Sequence, residues 1–175
     1  DTLPLPLLGK HIAIARDDAF AFTYPHILDV WKSAGIALSF FSPLADEPVP
    51  AAADGIYLPG GYPELHASVL AQNRAFLTSL RDAARRDASI YGECGGFMVL
   101  GEVLIDGDGV AHKMAGLLPI QTSFSKRKLH LGYRKMVTQQ ASALGPAGLV
   151  FRGHEFHYAT LSHASGNALF PVEDA

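Results

Sequence analysis

The strongest constraint on the fold is the recurrence of very short apolar segments at intervals long enough to hold a helix. "HIAIA" (11–15), "GIYL" (Gly55–Leu58) and "SIYGE" (89–93) are too short for buried helices. They have the β-branched and aromatic content of strands covered on both faces. Between them, "YPHILDVWKSAG" sets Ile27, Val30 and Trp31 at helical spacing and closes at Gly35, a residue suited to a helix C-cap. "IALSFF" reads as a further strand, followed by a loop containing "DEPVPAAAD". From Pro63 to Arg86, the residues Leu70, Phe76, Leu77, Leu80 and Ala84 recur at mostly helical intervals, with a break expected near Asn73. Strands separated by crossover helices predict an α/β fold, a mostly parallel central sheet flanked by helices on both faces. Beyond Gly101 the texture changes. "DGDG" (Asp106–Gly109) marks a turn, and the stretch to Tyr158 predicts shorter antiparallel strands added in the C-terminal third.

Composition removes several classes of function. A chain of 175 residues, 49% hydrophobic and 18% charged, has the make-up of one packed globule. A net charge of −3 with a pI near 6.2 provides no electrostatic footprint for nucleic acid or an anionic membrane, so neither is an expected partner. With one cysteine no internal disulfide can form, and no apolar run approaches a membrane span, so a reducing cytoplasm is the expected location. The opening "DTLPLPLLGK" has a Pro-Leu texture that reads as the remnant of an interdomain linker over residues 1–10, with the domain over 11–175.

The chemistry concentrates at "IYGECGGFMVLG", where an apolar strand runs into glycine, cysteine and two more glycines before a second apolar run. G-x-C-x-G is the thiol counterpart of the G-x-S-x-G elbow, in which small neighbours let a strained strand-to-helix turn expose a nucleophile. A lone cysteine is more often an inert core residue. The flanking glycines reverse that preference for Cys94. A following helix would place its N-terminal N–H groups beside the sulfur, an arrangement expected to stabilise thiolate, and the Gly95 N–H could donate into an oxyanion hole.

A thiol nucleophile needs a base, and eight histidines are available. Six occur singly. The pair in "FRGHEFHYAT" stands apart: in an extended chain Glu155, His157 and Ala159 share one face, and His154, Phe156 and Tyr158 the other. Spacing does not choose between His154 and His157. The same pair fits an H-x-x-H metal motif, but with no second cysteine and no evident third ligand no metal is expected.

Together, "LPGGYPELHASVLAQN", "IYGECGGFMVLG", "LGYRK" and "RGHEFHYA" resemble the carboxyl-terminal glutamine amidotransferase domain of the cobyrinic acid and hydrogenobyrinic acid a,c-diamide synthases. The resemblance runs from "HIAIARDDAFAFTYP" to "HEFHYA". It implies a class I amidotransferase fold of flavodoxin-like type, Cys94 as nucleophile, His157 as general base, and an oxyanion hole from the backbone around Gly60 and Gly61 with Gly95. Other class I amidotransferases place a glutamate two residues after the histidine; here that position is Ala159, which leaves Glu155 as the candidate to orient the imidazole. The implied reaction is hydrolysis of glutamine through a thioester. The ammonia would serve ATP-dependent amidation of the a and c acetate side chains of a corrin ring in cobalamin biosynthesis. No G-x-x-x-x-G-K-[ST] loop occurs, so no cofactor is expected in this chain. Mg2+ and ATP are expected in an N-terminal synthetase domain of the same polypeptide, and homodimerisation is compatible with the family. In "SFSKRKLHLGYRK", Lys126, Arg127 and Arg134 are candidates to meet that domain or the polycarboxylate ring, against the alternative of a solvated loop. Two other functions use the same residues: a small-amide or ester cysteine hydrolase with the same Cys-His pair, and a binding domain with an inert thiol.

Overall fold

The computed structural model describes residues 7–174. Its centre is a parallel sheet of four strands, β1 (His11–Ala15), β2 (Ala37–Phe41), β3 (Gly55–Leu58) and β4 (Ser89–Gly92), in the order β2-β1-β3-β4. Both faces are covered, as the uninterrupted apolar runs require. Ala13, Ala15, Ile56 and Leu58 face one core, which also holds Phe76, Leu77 and Leu80 of the helix α3 (Arg74–Arg85). Ile12, Ile14 and Tyr57 face the other, beside Trp31 of α1 (Pro25–Ser33). Each large side chain buried in this way contributes about 1.5–3 kcal/mol relative to exposure. Val30, grouped with Ile27 and Trp31 by its spacing, faces solvent instead.

The break near Asn73 is present. A single turn at Pro63–Leu65 and the short α2 (Ala67–Leu70) precede α3, and Asn73 spends its side-chain amide on the carbonyls of Pro43 and Leu44. Asp46, from the loop after β2, accepts the Phe76 N–H at 2.9 Å and so caps α3 from a distant segment. Of the expected linker, residues 1–6 lie outside the described residues; Leu8 is buried in the second core and Asp54 accepts the backbone N–H groups of Lys10 and His11.

The remaining strands form two small sheets. In one, β5 (Val103–Ile105) and β6 (Ala111–Lys113) make the hairpin expected at Asp106–Gly109, and β7 (Ile120–Ser123) and β10 (Thr160–Ala164) join in the order β10-β7-β5-β6. The β5–β7 pairing is parallel, so this sheet is mixed where an antiparallel one was expected. The other is antiparallel: β8 (His130–Val137) lies between β9 (Val150–His157) and β11 (Val172–Asp174). At eight residues each, β8 and β9 are the longest strands described, not shorter ones. Among the described residues no helix is long and apolar enough to cross a membrane.

Helix α4 (Gly95–Leu100) is seated directly on β3. A Cβ at Gly96 would stand 1.9 Å from the Leu58 carbonyl oxygen, an atom fixed in the central sheet. Gly96→Ala therefore has to lift the helix. Overpacking against a backbone that cannot give is expected to cost about 3 kcal/mol or more, a melting midpoint lower by roughly 6–12 °C for a domain of this size. An unchanged midpoint on thermal unfolding would show that α4 is not held this closely.

Candidate active site

Cys94 occupies the step between β4 and α4 with φ 48° and ψ −112°, a conformation that L residues avoid. The turn is held from both sides. The Gly96 N–H donates to the carbonyls of Glu93 and Pro59, and the Met98 N–H to that of Cys94 itself. The side chain is solvent-exposed, as the elbow reading required.

The glycines expected to form the oxyanion hole surround it. The backbone N–H groups of Gly95 and Gly61 are directed at the sulfur. Gly61 has to be glycine, because a Cβ there would lie 2.1 Å from the Ala19 carbonyl oxygen. That loop is fixed in turn by Asp17, whose carboxylate accepts from the Ala19 and Leu44 N–H groups and the Ser42 hydroxyl. Gly60 contributes differently. Its carbonyl accepts the Phe22 N–H at 2.9 Å, and its α-carbon lies so close to Cys94 that an added Cβ would be 3.3 Å from the cysteine Cβ.

Two carboxylates missed by the sequence reading stand near the thiol. Glu93, its chain neighbour, accepts the Tyr57 hydroxyl at 2.6 Å, with Tyr91 as a second donor; burial nevertheless leaves its carboxyl above the usual range. Tyr91 is pushed up to about 12, by burial first and then by the Glu93 charge. Glu64, on the turn after Gly60-Gly61, is likewise raised by burial, partly offset by its own backbone N–H and by Arg127 and His66. Their nearness in sequence to the cysteine and the glycine pair was the available signal.

These surroundings decide the state of the thiol. Loss of water around the sulfur raises its pKa, the Gly95 and Gly61 N–H groups lower it, and the charges of Glu64 and Glu93 raise it again; the net direction is upward. The N–H group at the head of the helix favours thiolate as expected, but in this resting site desolvation and the two carboxylates outweigh it. Alkylation of Cys94 by iodoacetamide should accelerate with pH through a midpoint above the ordinary thiol value of about 8.5. A midpoint at or below that value would mean that the two N–H groups outweigh the desolvation.

The second half of the site lies on β8 and β9. Glu155 and His157 share a face and meet: imidazole Nε2 lies 2.8 Å from Glu155 Oε1, while Nδ1 lies 2.9 Å from the Ala159 carbonyl oxygen, to which it donates. Arg134, expected to face a partner domain or the ring, is instead turned to this cluster. Its Nε and terminal nitrogen hold Glu155 Oε2 at 2.8 and 2.5 Å, and Asp174 of β11 takes its other nitrogen at 2.8 Å. Burial pushes the Glu155 carboxyl up, but the hydrogen bonds and charges of His157 and Arg134 outweigh it and hold the group below the usual carboxylate range. His130 completes the cluster, its ring stacked on His157 at 4.8 Å. Lys126 and Arg127 are exposed, as a contact surface would need.

Among the described residues no hydrogen bond joins the two halves. His157 is occupied by its carboxylate and carbonyl partners. His154, on the opposite face, makes no hydrogen bond, though its charge reaches Glu93.

A parallel sheet in this strand order, with an exposed cysteine on a strained elbow under two converging N–H groups, defines the class I glutamine amidotransferase fold. Solved structures agree: the chain superimposes on PurLQS from Thermotoga maritima with a TM-score of 0.65 at 16% identity, covering 95% of this chain and 76% of that one. It superimposes on a second glutamine amidotransferase with a TM-score of 0.58 at 13% identity, covering 88% and 75%. At that identity the likeness concerns fold alone. Residues 11–174 match the profile of the CobB/CobQ-like glutamine amidotransferase domain, and the chain belongs to that family. Hydrogenobyrinate a,c-diamide synthase of Brucella anthropi is 55% identical over 169 residues, covering 96% of this chain and 38% of that protein. The enzyme of the same name from Rhodobacter capsulatus is 50% identical over 176 residues, covering 98% and 39%. The chain thus spans well under half the length of these relatives.

Proposed function

We propose that this domain hydrolyses glutamine to glutamate and ammonia, and that the ammonia serves ATP-dependent a,c-diamidation of hydrogenobyrinic acid or its cobalt-bearing counterpart, cobyrinic acid, in cobalamin biosynthesis. The observation that carries the reading is the exposed Cys94 on its strained elbow, with the Gly61 and Gly95 N–H groups directed at its sulfur. The names of the relatives favour hydrogenobyrinic acid.

In this mechanism the Cys94 sulfur attacks the side-chain amide carbon of glutamine. The carbonyl oxygen gains negative charge and is received by the N–H groups of Gly61 and Gly95. His157 takes the thiol proton and returns it to the departing ammonia, leaving a thioester that water hydrolyses with the same imidazole as base. To do so His157 has to offer Cys94 a nitrogen lone pair, and in the resting geometry both ring nitrogens face oxygen acceptors. Release of Nε2 from Glu155, with loss of the proton they share to solvent, is therefore part of the mechanism, and Glu155 afterwards steadies the imidazolium formed when the thiol proton is taken. Mg2+ and ATP are assigned to the portion of the longer relatives that this chain does not cover, and no step of glutamine hydrolysis uses them. Lys126 and Arg127 are assigned to the face that meets that portion or the polycarboxylate ring.

Glutamine turnover by the 175-residue chain, measured beside a panel of small esters and amides, tests the first half of the reading. Selective release of glutamate is expected, and ester turnover without glutamine turnover would replace it with a general cysteine hydrolase. Amidation of hydrogenobyrinic and cobyrinic acids by the full-length polypeptide tests the second half.

A further inference from the structure

The cluster around His157 has a property that glutamine hydrolysis does not use. His130 and His157 are direct partners in the β8–β9 ladder, and Glu155 lies two residues along on the same face. One ligand-type atom from each of the three lies within 4.8 Å of the others. The supports around them are those of metal ligands. The His157 Nδ1–H is committed to the Ala159 carbonyl, which leaves Nε2 as the nitrogen that can ligate, and Arg134 holds Glu155 by Oε2 alone, so that Oε1 meets only His157 Nε2. His130 Nε2 is buried with no hydrogen-bond partner, a cost the fold carries without return inside the protein.

We propose that His130, Glu155 and His157 form a binding site for a borderline-soft divalent transition ion such as Zn2+, with water completing the coordination. Two imidazoles and one carboxylate with an open position are a donor set that Zn2+ accepts. Ligand bonds of about 2.0–2.2 Å require the donor atoms to close to roughly 3.5 Å of one another. The two rings are nearly parallel, 15° apart, so closure takes His130 out of the stack, and its unpartnered Nε2 gives up no hydrogen bond in moving. The ion takes the place between His157 Nε2 and Glu155 Oε1 that a proton otherwise holds. The nearby Arg134 cation opposes binding, and Asp174, bonded to the same guanidinium, reduces that opposition. If His157 is the glutaminase base, as proposed above, an ion here removes it, so the site is inhibitory. That consequence depends on the glutaminase reading; the binding does not.

The test is a Co2+ titration of the 175-residue chain carrying Cys94→Ser, which removes the thiol as a competing ligand. Visible d–d absorption of tetrahedral or five-coordinate intensity should saturate at one equivalent and be displaced by Zn2+. His130→Phe, which keeps a flat ring in the stack, should weaken binding at least about tenfold. His112→Ala, which removes the separate His112–Asp106 pair, should leave it unchanged. No saturable band, or equal affinity with and without His130, overturns the site, whatever the activity. In the unsubstituted protein, Zn2+ should stop glutamate release, reversibly on chelation, and less readily in His130→Phe. Absence of glutamine turnover in metal-free protein defeats the glutaminase reading and leaves the Co2+ titration standing.

Discussion

Cys94→Ser is expected to reduce glutamine turnover at least about a thousandfold while the protein stays folded, because the hydroxyl occupies the same exposed elbow but is a far weaker nucleophile. The backbone there is held by the Gly96 and Met98 N–H bonds, none of which involves the sulfur. A glutamine-analogue diazo-ketone should label the unsubstituted protein at one residue, Cys94, and abolish activity in proportion to labelling. Turnover in the serine variant within tenfold of the parent, measured by glutamate release, would mean that the thiol is not the attacking group. So would inactivation with the label elsewhere.

The second large effect separates the two histidines of "RGHEFHYA". His157→Ala removes the imidazole of the pair that is hydrogen-bonded to a carboxylate, and a loss of about three orders of magnitude or more is expected in kcat. His154→Ala takes away an exposed ring that makes no hydrogen bond among the described residues and should cost less than about tenfold. Its charge does reach Glu93, so the comparison is a real one. Equal losses in single-turnover rates, or the reverse order, would reassign the base.

What could be read in advance follows the range of the interactions involved. The strands β1 and β3 were visible because burial on both faces leaves a continuous apolar run, β4, half-buried at the sheet edge, because its Ile-Tyr pair runs into glycine, and the break at Asn73 because it interrupts a local period. Cys94 and its glycines were visible for the same reason: an elbow is a contiguous feature. The parallel β5–β7 pair was not. Strands of three and four residues carry too little pattern to fix a direction, which is set by packing elsewhere. Asp46 caps a helix 30 residues away, and His130 meets His157 only through the register of a ladder, so neither has a local signature. Arg134 illustrates a different limit. A run of basic residues suggested an outward-facing charge, yet the alternation of β8 turns that side chain toward Glu155 and Asp174, while Lys126 and Arg127, before the strand begins, remain exposed. Local sequence shows that a charge exists, and pleating decides which way it faces.

The backbone at Cys94 carries one more consequence. A non-glycine residue at φ 48° and ψ −112° holds about 1–3 kcal/mol of strain. Glycine would relax it, losing back roughly 0.5–1 kcal/mol to the greater freedom of the unfolded chain. A library of variants selected only for survival on heating should therefore enrich glycine at a position that, on the proposed mechanism, turnover cannot spare. Heat tolerance and catalysis would rank the substitutions at position 94 in opposite orders, so breeding a hardier form of this domain requires selection for activity in every round.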